Sequence, residues 1–403
     1  MKQFTIPFTY RSSLISSIKE KRKLADKMKK DFTPTLLDFG PVQIYLARHF
    51  GFCYGVENAI EIAFKTIDEN PGKRIFLLSE MIHNPQVNRD LIERGVKFLQ
   101  DTKGNSIVPF SELTPDDVVI IPAFGTTLDI ESKLADIGIV TKKYNTTCPF
   151  VEKVWNRSEQ IAKNNYTVVV HGKPSHEETR ATFSHASSAA PTIVVNDITE
   201  AMLLGEYIAG VRFAAEFYLD FPGRYSEGFD ITKDLQRIGV VNQTTMLASD
   251  TQEIADYLRE VMKWKYDLNE TNVEERFADT KDTLCYATND NQSAAYGLLE
   301  QSADLGIVVG GYNSSNTTHL VELMELKLPT YFISDESKIL SRDSILHYDI
   351  HTASDVNSTN YIPVEKVSRI LVTSGASCPD AVVEKVIEKL AGFYGRSLSD
   401  LKI

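Results

Sequence analysis

Cysteine is scarce in this chain: Cys53, Cys148, Cys285 and Cys378 are the only four among 403 residues. That count excludes a disulfide-stapled secreted domain, which is short and dense in cysteine, and leaves reduced thiols available for metal binding or catalysis. Long apolar runs are missing too. None approaches the ~20 residues needed to cross a bilayer, and the N-terminus lacks a signal-peptide core, so the chain reads as cytoplasmic with no membrane partner. Positive charge is in deficit: the net charge of −12 disfavours a general nucleic-acid binder. Neither G-x-x-x-x-G-K-[ST] nor G-x-G-x-x-G occurs, which disfavours the common nucleotide-binding enzymes.

What is present is the composition of a soluble globular protein, 42% hydrophobic and 24% charged, with a length that predicts two to four domains. One segment runs against the charge trend. Residues 11–30, "RSSLISSIKEKRKLADKMKK", carry eight Lys/Arg and two acids, which leaves −18 on the remainder. A basic, Ser-containing stretch fits a cleavable transit peptide. The interspersed Glu20 and Asp26 favour the other reading, a solvated helical extension (residues 1–42) packed on the first domain.

A threefold pattern follows. Each of the first three cysteines stands at, or a few residues before, a helical spacing of apolar residues: Val56, Ile60 and Phe64 after Cys53; Val151, Val154 and Ile161 after Cys148; Ala295, Leu298 and Leu299 after Cys285. Each helix leads into a strand-like run and a polar loop: "RIFLLSEMIHN", "YTVVVHGKPSHEE", "LGIVVGGYNSSN". A second strand and polar loop follow: "VVIIPAFGTT", "IGVVNQTTML", "ILVTSGASCPD". Counted from its cysteine, His83 lies 30 residues on, His176 28 and Ser315 30. Strands alternating with helices predict three similar α/β domains with mainly parallel sheets, whose loops at the strand C-termini face a common site. The boundaries read as 43–147, 148–284 and 285–403.

A thiol at a helix N-terminus has its thiolate form favoured by unpaired N–H groups and the helix dipole. Gly51 and Gly55 around Cys53 allow backbone to approach something bulky. Spacings of 95 and 137 residues between the cysteines are by themselves a weak metal signal, and C-x₂-C is absent. Three unrelated core cysteines and three thiolates gathered on a pseudo-threefold axis, around a metal centre with one open position, both remain consistent with the spacing. Cys378 has no counterpart in the other repeats and reads as a spectator.

Taken in order, "GFCYGVENAI", "IHNPQV", "TTCPFVEKV", "HGKPSHEET", "NQTT", "CYATNDNQ", "VVGGYNSSNT" and "VTSGASCPD" resemble the 4-hydroxy-3-methylbut-2-enyl diphosphate reductases over residues ~43–395. The resemblance implies three α/β domains arranged pseudo-threefold around one [4Fe–4S] cluster, held at three irons by Cys53, Cys148 and Cys285. It implies reductive removal of a hydroxyl from an allylic diphosphate, giving isopentenyl and dimethylallyl diphosphate, with a one-electron donor such as ferredoxin or flavodoxin. Glu178 matches the proton source, and Thr244 matches the hydroxyl that positions the substrate oxygen. His83, His176, Ser314, Asn316 and Ser377 match diphosphate-binding positions, with Ser315 adjacent. By composition alone Glu178 is one acid among 55, and the Ser/Asn run is an ordinary turn with a helix N-cap. His171, His185, His319, His347 and His351 are expected to be surface or packing residues.

Two departures stand out. Phe124 in "PAFGTT" replaces a histidine found in many members, as in a longer branch of the family, and implies a variant diphosphate pocket. An insertion near 205–235 reads as a peripheral excursion in preference to a docking surface for the electron donor. The rival readings are another open-cluster enzyme of quinolinate-synthase or diphthamide-synthesis type, a non-catalytic zinc protein, and a cysteine nucleophile. The first should lack the combined "SHEE" and "NSSN" loops, the second needs a fourth protein ligand, and the third needs a Cys–His pair that no repeat singles out.

Overall fold

A computed structural model describes residues 4–278, 283–363 and 367–401. The chain forms two compact units that are discontinuous in sequence. One comprises Met1–Glu61, Ile82–Asp90 and Tyr286–Ile403; the other comprises Ile62–Met81 and Leu91–Cys285.

The first unit is built on a seven-stranded sheet in the order Thr35–Asp38, Val42–Leu46, Ser368–Ser374, Leu305–Val309, Thr330–Ile333, Ser344–Asp349, Ser354–Thr359. The four strands from Val42–Leu46 to Thr330–Ile333 are parallel to one another. Leu305–Val309 is buried along its whole length, and Ile370–Val372 is fully buried, as the uniformly apolar sequences of central parallel strands require. The second unit holds two three-stranded parallel sheets. Their orders are Lys97–Phe98, Ile75–Leu77, Val118–Ile120 and Thr192–Val195, Thr167–His171, Ile238–Asn242.

All three sheets share one plan. After each cysteine helix the first strand is central and the second pairs on one side in parallel; the parallel strand on the other side is the third in the first two repeats, and in the last it is Ser368–Ser374, which follows the antiparallel pair Ser344–Asp349 and Ser354–Thr359. The strand entering each cysteine adds itself, again in parallel, beside the last parallel strand of the repeat before it. Asn145 bridges Ile121 ahead of Cys148, Phe277 bridges Ile238 ahead of Cys285, and Val42–Leu46 pairs with Ser368–Ser374 ahead of Cys53. The last case joins the two ends of the chain. The compact units therefore cut across contiguous blocks: Cys53 lies with the sheet of residues 305–374, whereas the strands that follow its helix lie in the other unit. Alternation of strands and helices reveals the repeats but not this offset, because pairing between segments 326 residues apart leaves no local pattern.

Residues 11–30 form a helix, Ser13–Ala25, inside the first unit. Ser12 caps it, accepting a bond from the Ile15 N–H, while Ile15 and Ile18 are buried and Lys19 pairs with Asp380 at 2.7 Å. Thr35–Asp38 then adds an antiparallel edge strand to Val42–Leu46. The 205–235 segment is not a peripheral excursion throughout. Phe217 and Phe221 are fully buried, and with Phe229 and Tyr207 they join the core over the Thr167–His171 sheet. Among the described residues no helix is long and apolar enough to cross a membrane.

Candidate active site

The three helices Tyr54–Glu69, Pro149–Lys163 and Tyr286–Leu299 each begin at the residue after a cysteine. Each cysteine N–H makes the same bond, donating to a carbonyl in the loop after the neighbouring parallel strand. Cys53 bonds Ala376 at 3.2 Å, Cys148 bonds Ala123 at 3.0 Å, and Cys285 bonds Thr244 at 3.3 Å. The repeat thus fixes each cysteine at the C-terminal end of a parallel sheet, where α/β proteins build their sites. It also places Ala123, Thr244 and Ala376 as equivalents. Only the middle position carries a hydroxyl.

In the second unit that hydroxyl is used. Glu178, 1% exposed in the first turn of helix Glu177–Ser187, accepts the Thr244 N–H on Oε1 at 2.5 Å and the Thr244 hydroxyl on Oε2 at 3.0 Å. His176 caps the same helix, its Nδ1 accepting the Glu178 N–H at 3.1 Å. Phe124 meets the His176 ring edge-on, with centroids 5.5 Å apart, and so presents carbon to it. The neighbouring Glu177, also buried, accepts the Ser79 hydroxyl at 2.8 Å. Cys148 completes the group. Burial pushes its thiol up to about 12, the negative charges of Cys285 and Glu178 act in the same direction, and the N–H groups of Phe150 and Val151 pull the other way.

In the first unit a second polar group surrounds the start of helix Ser315–Glu325. Ser314 caps it, accepting the Thr317 N–H at 3.3 Å and the Thr317 hydroxyl at 2.9 Å. Asn316 Oδ1 receives the Ala376 N–H at 3.0 Å and Asn291 Nδ2 at 3.3 Å; the Ser377 hydroxyl donates to the His83 carbonyl at 3.2 Å. His83, Ser314, Ser315, Asn316 and Ser377 are all buried. Five buried polar side chains around one helix N-terminus match the donor set that an anion requires. Gly311 and Gly375 allow this packing: a Cβ on the first would strike the His83 carbonyl, and on the second the Thr317 hydroxyl.

The histidines expected to pack do so. His171 is fully buried beside Thr251, and His185 stacks on Trp155 at 3.7 Å and 9°. His319 is buried against Glu322, the His347 Nε2 lies 2.9 Å from Ser358, and exposed His351 pairs with Glu325. Cys378 is fully buried, and burial raises its thiol. Arg48 and His49, which the sequence reading passed over, stand at the strand end before Cys53.

The sequence model of the LytB protein family matches residues 44–391. The chain belongs to this family. Relatives named 4-hydroxy-3-methylbut-2-enyl diphosphate reductase, from a Picosynechococcus strain and from Prochlorococcus marinus, are each 40% identical to it over 382 residues. These matches cover 94% of this chain and 89% and 90% of the relatives. Two solved structures share the fold. A reductase described as the terminal enzyme of the non-mevalonate pathway gives a TM-score of 0.52 at 23% identity, covering 87% of this chain and 99% of its own. The Plasmodium falciparum reductase gives 0.60 at 21%, covering 85% and 86%. The α/β architecture with three mainly parallel sheets is thus that of the LytB reductases.

The thiols of this LytB protein suit iron–sulfur ligation. Cys53, Cys148 and Cys285 are partly buried, and each stands immediately before a helix. A thiol raised as far as that of Cys148 stays protonated unless a cationic centre draws off its proton. Among the described residues no three His, Cys, Asp or Glu close on a single metal ion. A cluster with one thiolate per iron does not require such closure.

Proposed function

We propose that the chain carries out its family's reaction, the last step of the methylerythritol phosphate route. It converts (E)-4-hydroxy-3-methylbut-2-enyl diphosphate to isopentenyl and dimethylallyl diphosphate. One C–O bond breaks and one C–H bond forms; two electrons and two protons enter, and the oxygen leaves as water. The observation that carries the reading is Glu178, buried, gripped at both oxygens by Thr244, and close enough to Cys148 to act on its charge.

Cys53, Cys148 and Cys285 would hold one [4Fe–4S] cluster by three irons, with the three α/β repeats (43–147, 148–284, 285–403) disposed pseudo-threefold around it. When bound, the cluster supplies the electrons and a Lewis-acidic open iron. Glu178 delivers the proton that lets hydroxide, a poor leaving group, depart as water. Thr244 orients that carboxyl through two hydrogen bonds and offers its hydroxyl to the substrate oxygen. His83, His176, Ser314, Ser315, Asn316 and Ser377 hold the diphosphate, with Phe124 lowering the number of donors on the His176 side. The site is cytoplasmic, and a one-electron carrier such as ferredoxin or flavodoxin feeds it.

Anaerobic purification followed by a dithionite–viologen assay with the allylic diphosphate tests the reading. The protein should be brown, with about four irons and four sulfides per chain, and should form both products. Colourless protein without turnover after cluster reconstitution would overturn it.

A further inference from the structure

Within the first unit a cleft of about 280 Å³ opens beside Cys53. Lys19, Lys23 and Lys29 of the N-terminal segment line it, together with Arg48. Opposing them are Asp290, which pairs with Lys29 at 3.1 Å, and Glu57, whose carboxyl burial pushes upward; Asp380, outside the lining, pairs with Lys19 at 2.7 Å. His49 also lines the cleft, held near 4 by burial and hence neutral at pH 7. Arg48 is only 6% exposed, yet its Nε finds no hydrogen-bond partner among the described residues. Four cations thus converge beside an expected cluster ligand in a chain of net charge −12.

The cleft reaches Cys53 through aromatic side chains. The Tyr54 N–H donates to the Tyr286 hydroxyl at 3.1 Å, and the Lys29 ammonium lies 5.3 Å from the Tyr286 ring centre. Lys23 and Lys29 are exposed at its rim, and the same segment exposes Leu24 and Met28. Small anions are held by buried, converging donors; an exposed basic rim with apolar side chains nearby suits the carboxylate-bearing face of a protein.

We propose that this cleft docks an acidic one-electron carrier protein, which discharges beside Cys53. The inference rests on the reductase reading above. Each encounter oxidises the carrier by one electron and reduces the enzyme by one; two encounters, with two protons, balance one turnover. Basic charge at the entry point raises the encounter rate by steering, an advantage that salt screens away.

The test uses anaerobically purified holoenzyme and an acidic plant-type [2Fe–2S] ferredoxin. In K23E/K29E, ferredoxin affinity by titration calorimetry and ferredoxin-driven turnover should each fall about tenfold or more, and their salt dependence should flatten. Iron content and viologen-driven turnover should stay unchanged. K21E/K27E, with the same change in net charge but outside the cleft, should bind ferredoxin as the wild type does. The milder K23Q should give an intermediate loss of affinity. Equal losses in both double variants, or wild-type affinity in K23E/K29E, would overturn the proposal. A colourless or viologen-inactive wild type would instead count against the reductase reading.

Discussion

Glu178 and Thr244 are joined twice, backbone N–H to Oε1 and hydroxyl to Oε2, at 2.5 and 3.0 Å. The same Thr244 carbonyl receives the Cys285 N–H. One residue therefore fixes both Glu178, the proposed acid, and Cys285, a proposed cluster ligand, so displacing it should disturb both. Glu178→Gln should keep iron content and substrate affinity while turnover falls ~10²-fold or more, as loss of a general acid predicts. Thr244→Val keeps the backbone bond and loses only the hydroxyl, so a smaller fall in turnover is expected, read in the same viologen assay. Wild-type turnover in Glu178→Gln would remove that residue from the chemistry.

Replacement of Cys53, Cys148 or Cys285 by Ser should bleach the protein and lower its iron, read by absorption and iron analysis. Cys378→Ser should leave both unchanged, since that thiol is sealed in the interior with its sulfur directed at the Pro379 carbonyl.

Gly311→Ala and Gly375→Ala should each destabilise the first unit by about 1–3 kcal/mol, the usual effect of forcing an extra methyl into a packed interior. Both should also shift the proposed diphosphate donors, so KM for the allylic diphosphate should rise. Wild-type melting temperature and KM in both variants would show that the loop yields freely.

Burial keeps His49 near 4, against an ordinary value of 6.5. Unfolded chains therefore take up a proton that the folded state refuses once the pH drops below 6.5. The contribution is complete above 6.5 and declines as the pH falls toward 4. The melting temperature should fall less between pH 7 and 5 in His49→Gln than in the wild type; identical slopes would exclude His49 as the source.

Phe217 stacks on Phe229 and packs against Phe221 and Tyr207, all inside the core. Phe217→Ala should cost about 3–5 kcal/mol, seen as a lowered urea midpoint. A cost below ~1 kcal/mol would show that the 205–235 segment is dispensable to that core.

Much of this was legible because the signals are local. Apolar spacing after Cys53, Cys148 and Cys285 marks the helices, and runs such as "YTVVVH" and "LGIVVG" mark buried strands. Glu178 and Thr244 were reachable only through the resemblance, since neither stands out among the chain's many acids and hydroxyls. Pairing of Val42–Leu46 with Ser368–Ser374, and the convergence of the basic 11–30 segment with Tyr286 and Asp290 in one cleft, depend on distant segments meeting. No window of sequence contains both partners. Phe217 and Phe221 misled for a related reason: an aromatic-rich insertion looks the same whether it folds inward or protrudes.

The offset pairing of the entering strands orders events during synthesis. Cys148 and Cys285 gain their backbone partners, Ala123 and Thr244, soon after they leave the ribosome, whereas Cys53 must wait for Ala376, near the end of translation. Its sulfur thus spends nearly the whole of elongation without its native shelter. Assembly of the proposed cluster on all three cysteines is therefore expected only after release, and premature termination before residue 368 leaves the first cysteine with no strand to anchor it.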